Sequence, residues 1–205
     1  MRDLAKVFEH KIVDQKWYGY WDEIKAFRAD PNSTKPAFSM VLPPPNVTGT
    51  LHIGHALNQT LPDIVARWKR MRGFDVLWLP GTDHAGIATQ NVVEKQLAAE
   101  GKTRHDLGRV AFEACVWDWV KKSHGTITSQ MRKLGSSVDW SRERFTLDEK
   151  LSAAVRRVFV TLYREGLIYR GRYLVSWCTR CRTALSDLEV IHKPTRGKLF
   201  HVKYQ

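Results

Sequence analysis

The sequence predicts an α/β fold with a parallel sheet and with helical N-terminal and connecting segments. Two short apolar runs, residues 37–45 and 74–81, each end in proline or glycine, and a longer stretch with helical periodicity follows each run. Strands that alternate with helices through short links are typical of parallel βαβ units. With 205 residues, 43% of them hydrophobic, the chain is long enough to enclose one sizeable core.

The N-terminal residues 1–36 are amphipathic and charged, without the apolar core of a signal peptide, and we expect them to form a helical extension. The first strand follows and must end at the proline run 43–45, because proline has no backbone N–H to donate to a sheet. The next helix is predicted to begin with Thr50 as its N-cap and to end at Gly73.

That helix carries an apolar stripe at helical spacing, which we expect to face the core. The stripe consists of Ile53, Leu57, Leu61, Ile64, Trp68 and Met71. Pro62 lies inside the pattern and predicts either a kink or two abutting helices.

The remaining pattern predicts further helices and short strands. A helix over 85–101 is closed by Gly101, and residues 103–137 are mainly helical, with Phe112, Val116, Trp119 and Val120 on one stripe. A last helix is predicted to open with a capping box of Thr146 and Glu149 and to end at Gly166, with Leu151, Val155, Val158, Phe159 and Leu162 as its apolar face. Short strands are predicted at 173–177 and 198–204.

Charge and cysteine content narrow the functional classes. Lys and Arg number 33 against 21 Asp and Glu, a net charge of +12 with the excess in the later part of the chain. This excess fits either a solvated basic surface or a partner that carries phosphate, and charge alone does not decide. No apolar run is long enough to span a bilayer, and three cysteines form no disulfide framework. We therefore expect a cytoplasmic protein without a membrane partner.

His52 and His55 lie one helical turn apart directly after the proline-rich loop. They share a helix face with Gln59, opposite the apolar stripe. Unpaired N–H groups and the positive end of the helix dipole suit this position to phosphate. Gly54 leaves room for a flat ring against the backbone, and Gly49 allows the loop to turn. Two surface histidines are the alternative, and a metal site would need more ligands nearby.

Three segments, in order along nearly the whole chain, resemble class I aminoacyl-tRNA synthetases. Residues 43–55, PPPNVTGTLHIGH, resemble the HIGH signature in its valyl form, and residues 79–90, LPGTDHAGIATQ, and 135–190 are also similar to the valyl members. Isoleucyl and leucyl members differ at residues 46–49 and 82–86, which argues against them. The signature residues are Pro45, Asn46, Val47, Thr48, Gly49, Thr50, Leu51, His52, Ile53, Gly54 and His55.

The resemblance implies a Rossmann-like catalytic domain, whose first half this chain carries in residues 37–175. The implied activity is ATP-dependent ligation of valine to tRNA(Val) through valyl-adenylate, with Mg²⁺ accompanying ATP, by a monomeric parent enzyme. The isolated chain is expected to be inactive, because the family's second, lysine-rich signature does not occur in it.

The resemblance also implies roles for individual residues. His52 and His55 are implied as catalytic residues that serve the ATP phosphates, and Gly49 and Gly54 belong to the same ATP site. Pro45, Asn46 and Asp83 are implied as amino-acid-binding residues, with Asp83 on the ammonium group. As an alternative, Asp83 could cap the helix that begins near Ala85, since aspartate is a good N-cap.

Cys178 and Cys181 form a C-x-x-C pair that resembles half of a zinc knuckle. Structural zinc needs four ligands, so His192 or His201 would have to contribute, or a second pair would lie beyond an inserted editing domain, as in the family. Residues 176–205 are therefore assigned to the zinc-knuckle-like half and the start of that insertion. A nucleic-acid-binding module without enzymatic activity and a small nucleotidyltransferase with an H-x-G-H site remain the alternative functions.

Overall fold

The computed structural model describes residues 7–204, and the chain divides into two compact units, Met1–Val160 and Thr161–Gln205. The helices are α1 (His10–Glu23), α2 (Ile53–Met71), α3 (Ile87–Ala99), α4 (Arg104–Lys133) and α5 (Glu149–Arg164), with 3-10 turns at Trp140–Arg142 and Asp187–Glu189. The strands are β1 (Ala37–Val41), β2 (Asp75–Leu79), β3 (Gly81–Thr82), β4 (Arg144–Phe145), β5 (Trp177–Cys178) and β6 (Thr183–Ala184). The division into 1–36, 37–175 and 176–205 stays a prediction.

Parallel strand pairing organises the first unit. β1 pairs with β2 in parallel, with Ala37 opposite Asp75 and Val41 opposite Leu79. β3 pairs in parallel with β4. The predicted α/β class with a parallel sheet is confirmed, since α2 crosses between β1 and β2 as in a βαβ unit.

The core lies around β2 and α4. Trp78 on β2 is fully buried and packs in one cluster with Val47, Ala66, Ile127 and Met131. Val120 belongs to the same cluster and Val116 packs against it, so the predicted apolar stripe of α4 faces the core. Gly108 breaks the regular helical conformation within α4 with a φ of 71°.

The predicted orientation of α2 is wrong. Its apolar stripe, Ile53, Leu57, Leu61, Ile64, Trp68 and Met71, is between 49% and 87% exposed, whereas Gln59 and Ala66 are buried. The polar face of α2 can point inward because its side chains are hydrogen-bonded. Asp63 accepts from the backbone N–H of Ser137 at 3.1 Å, and Arg70 donates to the Ser137 carbonyl at 2.9 Å. A polar face can be buried when its groups are hydrogen-bonded.

Two further predictions about helices are corrected. α2 runs through Pro62 without a break, which excludes two abutting helices. The capping box of Thr146 and Glu149 does not form, because α5 begins at Glu149 and the carboxylate of Asp148 accepts the Leu151 N–H at 2.8 Å. The predicted apolar face of α5 is largely exposed at Val155, Val158 and Phe159.

The N-terminal extension is attached to the rest of the first unit by buried polar contacts. The hydroxyl of Tyr18 on α1 donates to the Ser136 carbonyl at 2.8 Å and accepts from the Trp140 indole at 2.7 Å. Burial raises the pKa of Tyr18, so the phenol stays a donor at neutral pH. The backbone N–H of Ala29 donates to Asp139 at 3.1 Å.

The second unit contains one antiparallel pair, β5 with β6, in which Trp177 lies opposite Ala184. The predicted strand at 173–177 is reduced to its last residue, and residues 198–204 form no strand. An extended segment becomes a strand only when its backbone groups pair with a neighbour, and within residues 161–204 the β5–β6 ladder is the only such pairing. In the part of the chain from 7 to 204, no helix combines the length and apolar character required to cross a membrane.

Candidate active site

The carboxyl ends of β1 and β2 bring two of the signature segments together. The backbone N–H of Asp83 donates to the Pro45 carbonyl at 2.9 Å, and the Val47 N–H donates to the Asp83 carbonyl at 2.9 Å. These two bonds form a parallel bridge between Asn46 and Asp83. Three residues that were predicted to bind the amino acid therefore lie on adjacent backbone segments, at the strand ends where ligands bind in open α/β sheets.

Thr146 adds a third segment, which the sequence reasoning missed. Its backbone N–H donates to the Thr82 carbonyl at 3.2 Å, directly after β4. Its hydroxyl lies 3.0 Å from Oδ1 of Asp83, 2.9 Å from the His84 N–H and 2.6 Å from Nδ1 of His84. The third resemblance segment contains Thr146, but a threonine three residues before a glutamate also looks like a helix cap.

The hydrogen-bond inventory around Thr146 fixes the direction of each bond. A carboxylate can only accept, so the single hydroxyl proton of Thr146 goes to Asp83. Nδ1 of His84 must then donate to the Thr146 oxygen, and its Nε2 is the acceptor when the ring is neutral. The three side chains form one ordered set in which Asp83 has a fixed orientation.

Asp83 is not the N-cap of the helix that follows. Its Oδ2 accepts the Ala85 N–H at 3.2 Å in a tight turn, and the N-cap of α3 is Gly86. Ala85 and Gly86 have φ values of 54° and 45°, in the left-handed region that favours glycine. The Asp83 side chain remains 31% exposed and is accessible to a ligand.

The two signature histidines themselves cap α2, so the prediction of Thr50 as N-cap is wrong. His52 is the N-cap, and its Nδ1 accepts the Gly54 N–H at 3.1 Å. Nδ1 of His55 accepts the His52 N–H at 3.2 Å, which completes a capping box of two imidazoles. The ring centroids are 3.9 Å apart. An imidazole replaces the usual hydroxyl or carboxylate because its Nδ1 offers a lone pair at a similar reach.

This capping box determines which nitrogens can bind a ligand. A nitrogen that accepts an N–H bond carries no proton, so each neutral ring has its proton on Nε2. Both histidines therefore present an Nε2–H donor. Burial, and secondly the neighbouring His52, lowers the pKa of His55 and favours this neutral form. Two neutral N–H donors at a helix N-terminus suit phosphate oxygens.

The two signature glycines differ in their structural requirements. A Cβ on Gly54 would lie 3.0 Å from Cε1 and 3.1 Å from Nδ1 of His52, so a side chain there would push the His52 ring out of its capping position by a few tenths of an ångström. Gly49 has neither a crowded Cβ position nor a positive φ, so the backbone there does not depend on the special freedom of glycine. The roles of both glycines in ATP binding stay predictions.

The C-x-x-C pair is a local turn in the second unit. The Cys181 N–H donates to Sγ of Cys178 at 3.3 Å, and this bond lowers the pKa of the Cys178 thiol. Within residues 7–204, no three His, Cys, Asp or Glu side chains group closely enough to hold a metal ion. Two cysteines fall short of the four ligands of structural zinc, and neither His192 nor His201 completes the set.

A comparison with known protein families decides the assignment of the chain. The profile of the tRNA synthetases class I (I, L, M and V) matches residues 16–200. The chain belongs to this class I synthetase family. The three segments that carry the resemblance all lie within the matched residues, and Asn46, Asp83 and Thr146, one from each segment, lie close together in the first unit.

Individual relatives of this class I synthetase chain are valine–tRNA ligases. The ligase of Syntrophotalea carbinolica is 64% identical over 201 residues, covering 98% of this chain and 22% of the relative. That of Geobacter sulfurreducens is 62% identical over 203 residues, covering 99% of this chain and 23% of the relative. That of Thermotoga maritima is 57% identical over 205 residues, covering 100% and 24%. The chain thus spans about a quarter of the length of these curated relatives.

A solved class I synthetase has the same fold. The LeuRS of Agrobacterium radiobacter K84, crystallised in a ternary complex with tRNA and LeuAMS, superposes with a TM-score of 0.76. It is 29% identical in sequence, and the superposition covers 90% of this chain and 22% of that one. This agreement confirms the predicted catalytic fold, in its Rossmann-like α/β form.

Proposed function

We propose that this chain carries the HIGH half of the active site of a valine–tRNA ligase, which joins valine to tRNA(Val) through valyl-adenylate. The observation that carries this proposal is the backbone bridge between Asn46 and Asp83, which joins the loop before the two histidines to the segment with the accessible carboxylate. The similarity to valine–tRNA ligases over nearly the whole chain supports the choice of valine.

The first step requires positioning and charge stabilisation rather than a side-chain base. The valine carboxylate attacks the α-phosphorus of ATP, a P–O bond forms, and pyrophosphate leaves with the electrons of the bond that breaks. The attacking group is already an anion, so no proton is removed. Charge that builds on the phosphate oxygens is stabilised by donors that are already in place. We assign this role to the Nε2–H groups of His52 and His55.

In this proposal the amino acid binds on the Asp83 side of the bridge between Asn46 and Asp83. We assign Asp83 to the α-ammonium group, because its carboxylate is accessible and is oriented by Thr146. Asn46 is exposed beside it and Pro45 is buried below, which suits them to the wall of the valine pocket. The phosphates of ATP bring Mg²⁺ to the site, where it would neutralise their charge.

Further parts of the proposal concern the whole ligase. We assign tRNA(Val) as its third substrate, after valine and ATP, and we assign the enzyme as a monomer in the cytoplasm. Cys178 and Cys181 would bind a zinc ion together with two further ligands. The basic excess of the chain is compatible with an RNA partner. Three cysteines in 205 residues are too few for a disulfide framework, which fits a reducing compartment.

The deciding experiment is amino-acid-dependent exchange of pyrophosphate into ATP by the full-length ligase that carries this segment. We expect exchange with valine, and exchange with leucine or methionine that is lower by at least two orders of magnitude. Equal or greater exchange with leucine would refute the valine assignment. Absence of exchange with every amino acid, in an enzyme that is folded by circular dichroism, would refute the adenylation itself.

A further inference from the structure

Three side chains of α4 hydrogen-bond the backbone of the loop that precedes His52. The indole N–H of Trp119 donates to the Val47 carbonyl at 2.8 Å, and the hydroxyl of Ser123 donates to the Gly49 carbonyl at 3.2 Å. Oε1 of Gln130 accepts the Leu51 N–H at 2.8 Å. We call Val47, Gly49 and Leu51 with the residues between them the signature loop.

The spacing of these three side chains makes them one surface of α4. At about 100° per residue, Trp119, Ser123 and Gln130 fall within about 40° of one another around the helix axis. Their partners are alternate residues of the signature loop, and each contact satisfies a backbone group that the loop itself does not pair. Ser123 is buried, and Trp119 and Gln130 are half-buried, so these bonds are partly sheltered from water.

The contacts from α4 affect both the histidine pair, His52 and His55, and the segment around Asp83. Leu51 directly precedes His52, whose N–H is bonded to His55, so Gln130 fixes the backbone at the start of the capping box. Val47 is held from two sides, because its N–H reaches the Asp83 carbonyl and its carbonyl accepts from Trp119. A shift of the loop would therefore move the two Nε2–H donors relative to Asp83.

We propose that Trp119, Ser123 and Gln130 are positioning residues that hold the signature loop so that His52 and His55 face the α-phosphate of ATP bound beside Asp83. This inference rests on the proposed function for its catalytic consequence. Its structural part, that side chains of α4 hold the backbone of the signature loop, stands on the hydrogen bonds themselves. Preorganised donors stabilise a transition state only when their positions are fixed before the reaction.

Trp117 provides a matched control on the same helix. It is 52% exposed and makes an edge contact with Phe145, and within residues 7–204 its indole N–H donates to no protein group. Trp119→Phe and Trp117→Phe thus remove the same atoms from α4, but only the first removes a bond to the signature loop.

Kinetics of the full-length ligase test the catalytic part. In valine-dependent pyrophosphate exchange, we expect Trp119→Phe to lower kcat by about threefold to tenfold, the effect of one hydrogen bond, with the KM for valine within twofold of wild type. Trp117→Phe should match the wild type in both. Unchanged kcat in Trp119→Phe, or an equal loss in Trp117→Phe, would overturn the positioning role.

Amide hydrogen exchange of the same ligase tests the structural part without relying on activity. Gln130→Met removes the acceptor for the Leu51 N–H, whereas Gln130→Glu keeps an acceptor oxygen at the same reach. We expect faster exchange in the peptide that contains residues 47–51 for Gln130→Met, and near wild-type exchange for Gln130→Glu. Equal protection in all three proteins would overturn the inference. If the three proteins show the expected pattern of hydrogen exchange but the wild-type enzyme shows no valine-dependent pyrophosphate exchange, the proposed function is refuted and the structural part of the inference stands.

Discussion

The hydroxyl of Thr146 donates to Oδ1 of Asp83 at 3.0 Å, although the two residues are 63 positions apart in the sequence. Thr146→Val keeps the size of the side chain and removes this donor. We expect the KM for valine in pyrophosphate exchange to rise about twofold to tenfold, because Asp83 loses the bond that orients it towards the ammonium group. Thr146→Ser should restore the wild-type value. A valine KM that does not change in Thr146→Val would show that Asp83 needs no such support.

Asp83→Asn removes the charge and leaves the shape of the side chain. The contact between ammonium and carboxylate exists both before and during the reaction, so the loss should appear mainly in the KM for valine. A charge-assisted bond is worth roughly 1.5–3 kcal/mol, which corresponds to about a tenfold to hundredfold higher KM. Asp118→Asn, at an exposed position of α4, is the control. If only the KM for ATP rises, Asp83 belongs to the nucleotide site.

His55→Ala removes an Nε2–H donor that we assign to the transition state. The expected result is a loss of about 10²–10³ in the rate of valyl-adenylate formation, with a small change in valine affinity. The variant also loses the acceptor for the His52 N–H, so thermal unfolding should be recorded alongside. His105→Ala, near the start of α4 and exposed, should retain the full rate. Wild-type turnover in His55→Ala would remove this residue from the mechanism.

The lowered pKa of His55 has a consequence for stability. The unfolded chain binds a proton near the ordinary histidine pKa of about 6.5, whereas the folded chain binds it only at lower pH. Between those two values the unfolded state carries more protons, so the free energy of unfolding falls as the pH decreases through this window. Above pH 6.5 the contribution is complete and constant. An NMR titration of His55 should give a midpoint below 6.5, and a midpoint above that value would contradict the lowering of its pKa by burial and by His52.

Local signals in the sequence predicted the strands and helices that carry the site. The proline run after β1 and the apolar run of β2 mark where two parallel strands end, and in the structure Asn46 and Asp83 meet just beyond those ends. The HIGH segment was recognised from its amino-acid sequence, but the structure adds a role for the two histidines that the sequence did not predict. Sequence reasoning treated the histidines as free donors on a helix, whereas their Nδ1 atoms are engaged in capping it.

Two of the errors share a physical cause, which is competition between a local sequence rule and partners that are distant in the sequence. Thr146 fits a capping box, but its hydroxyl is used by Asp83 and His84. The apolar stripe of α2 has the right period for a core face, yet Asp63 and Arg70 on the other face bind Ser137, more than sixty positions away. Hydrophobic periodicity shows which face of a helix is apolar, but it does not show which other part of the chain packs against the helix.

The bridge between Asn46 and Asp83 also joins the segment that we assign to valine to the loop that leads to the proposed ATP site. If valine binding moves the backbone at Asp83, these two bonds are the direct route by which the loop that leads to His52 would move with it. Linkage then requires reciprocity: the factor by which bound ATP changes the affinity for valine is the factor by which bound valine changes the affinity for ATP. Any coupling through these two backbone hydrogen bonds therefore has the same size whichever substrate binds first.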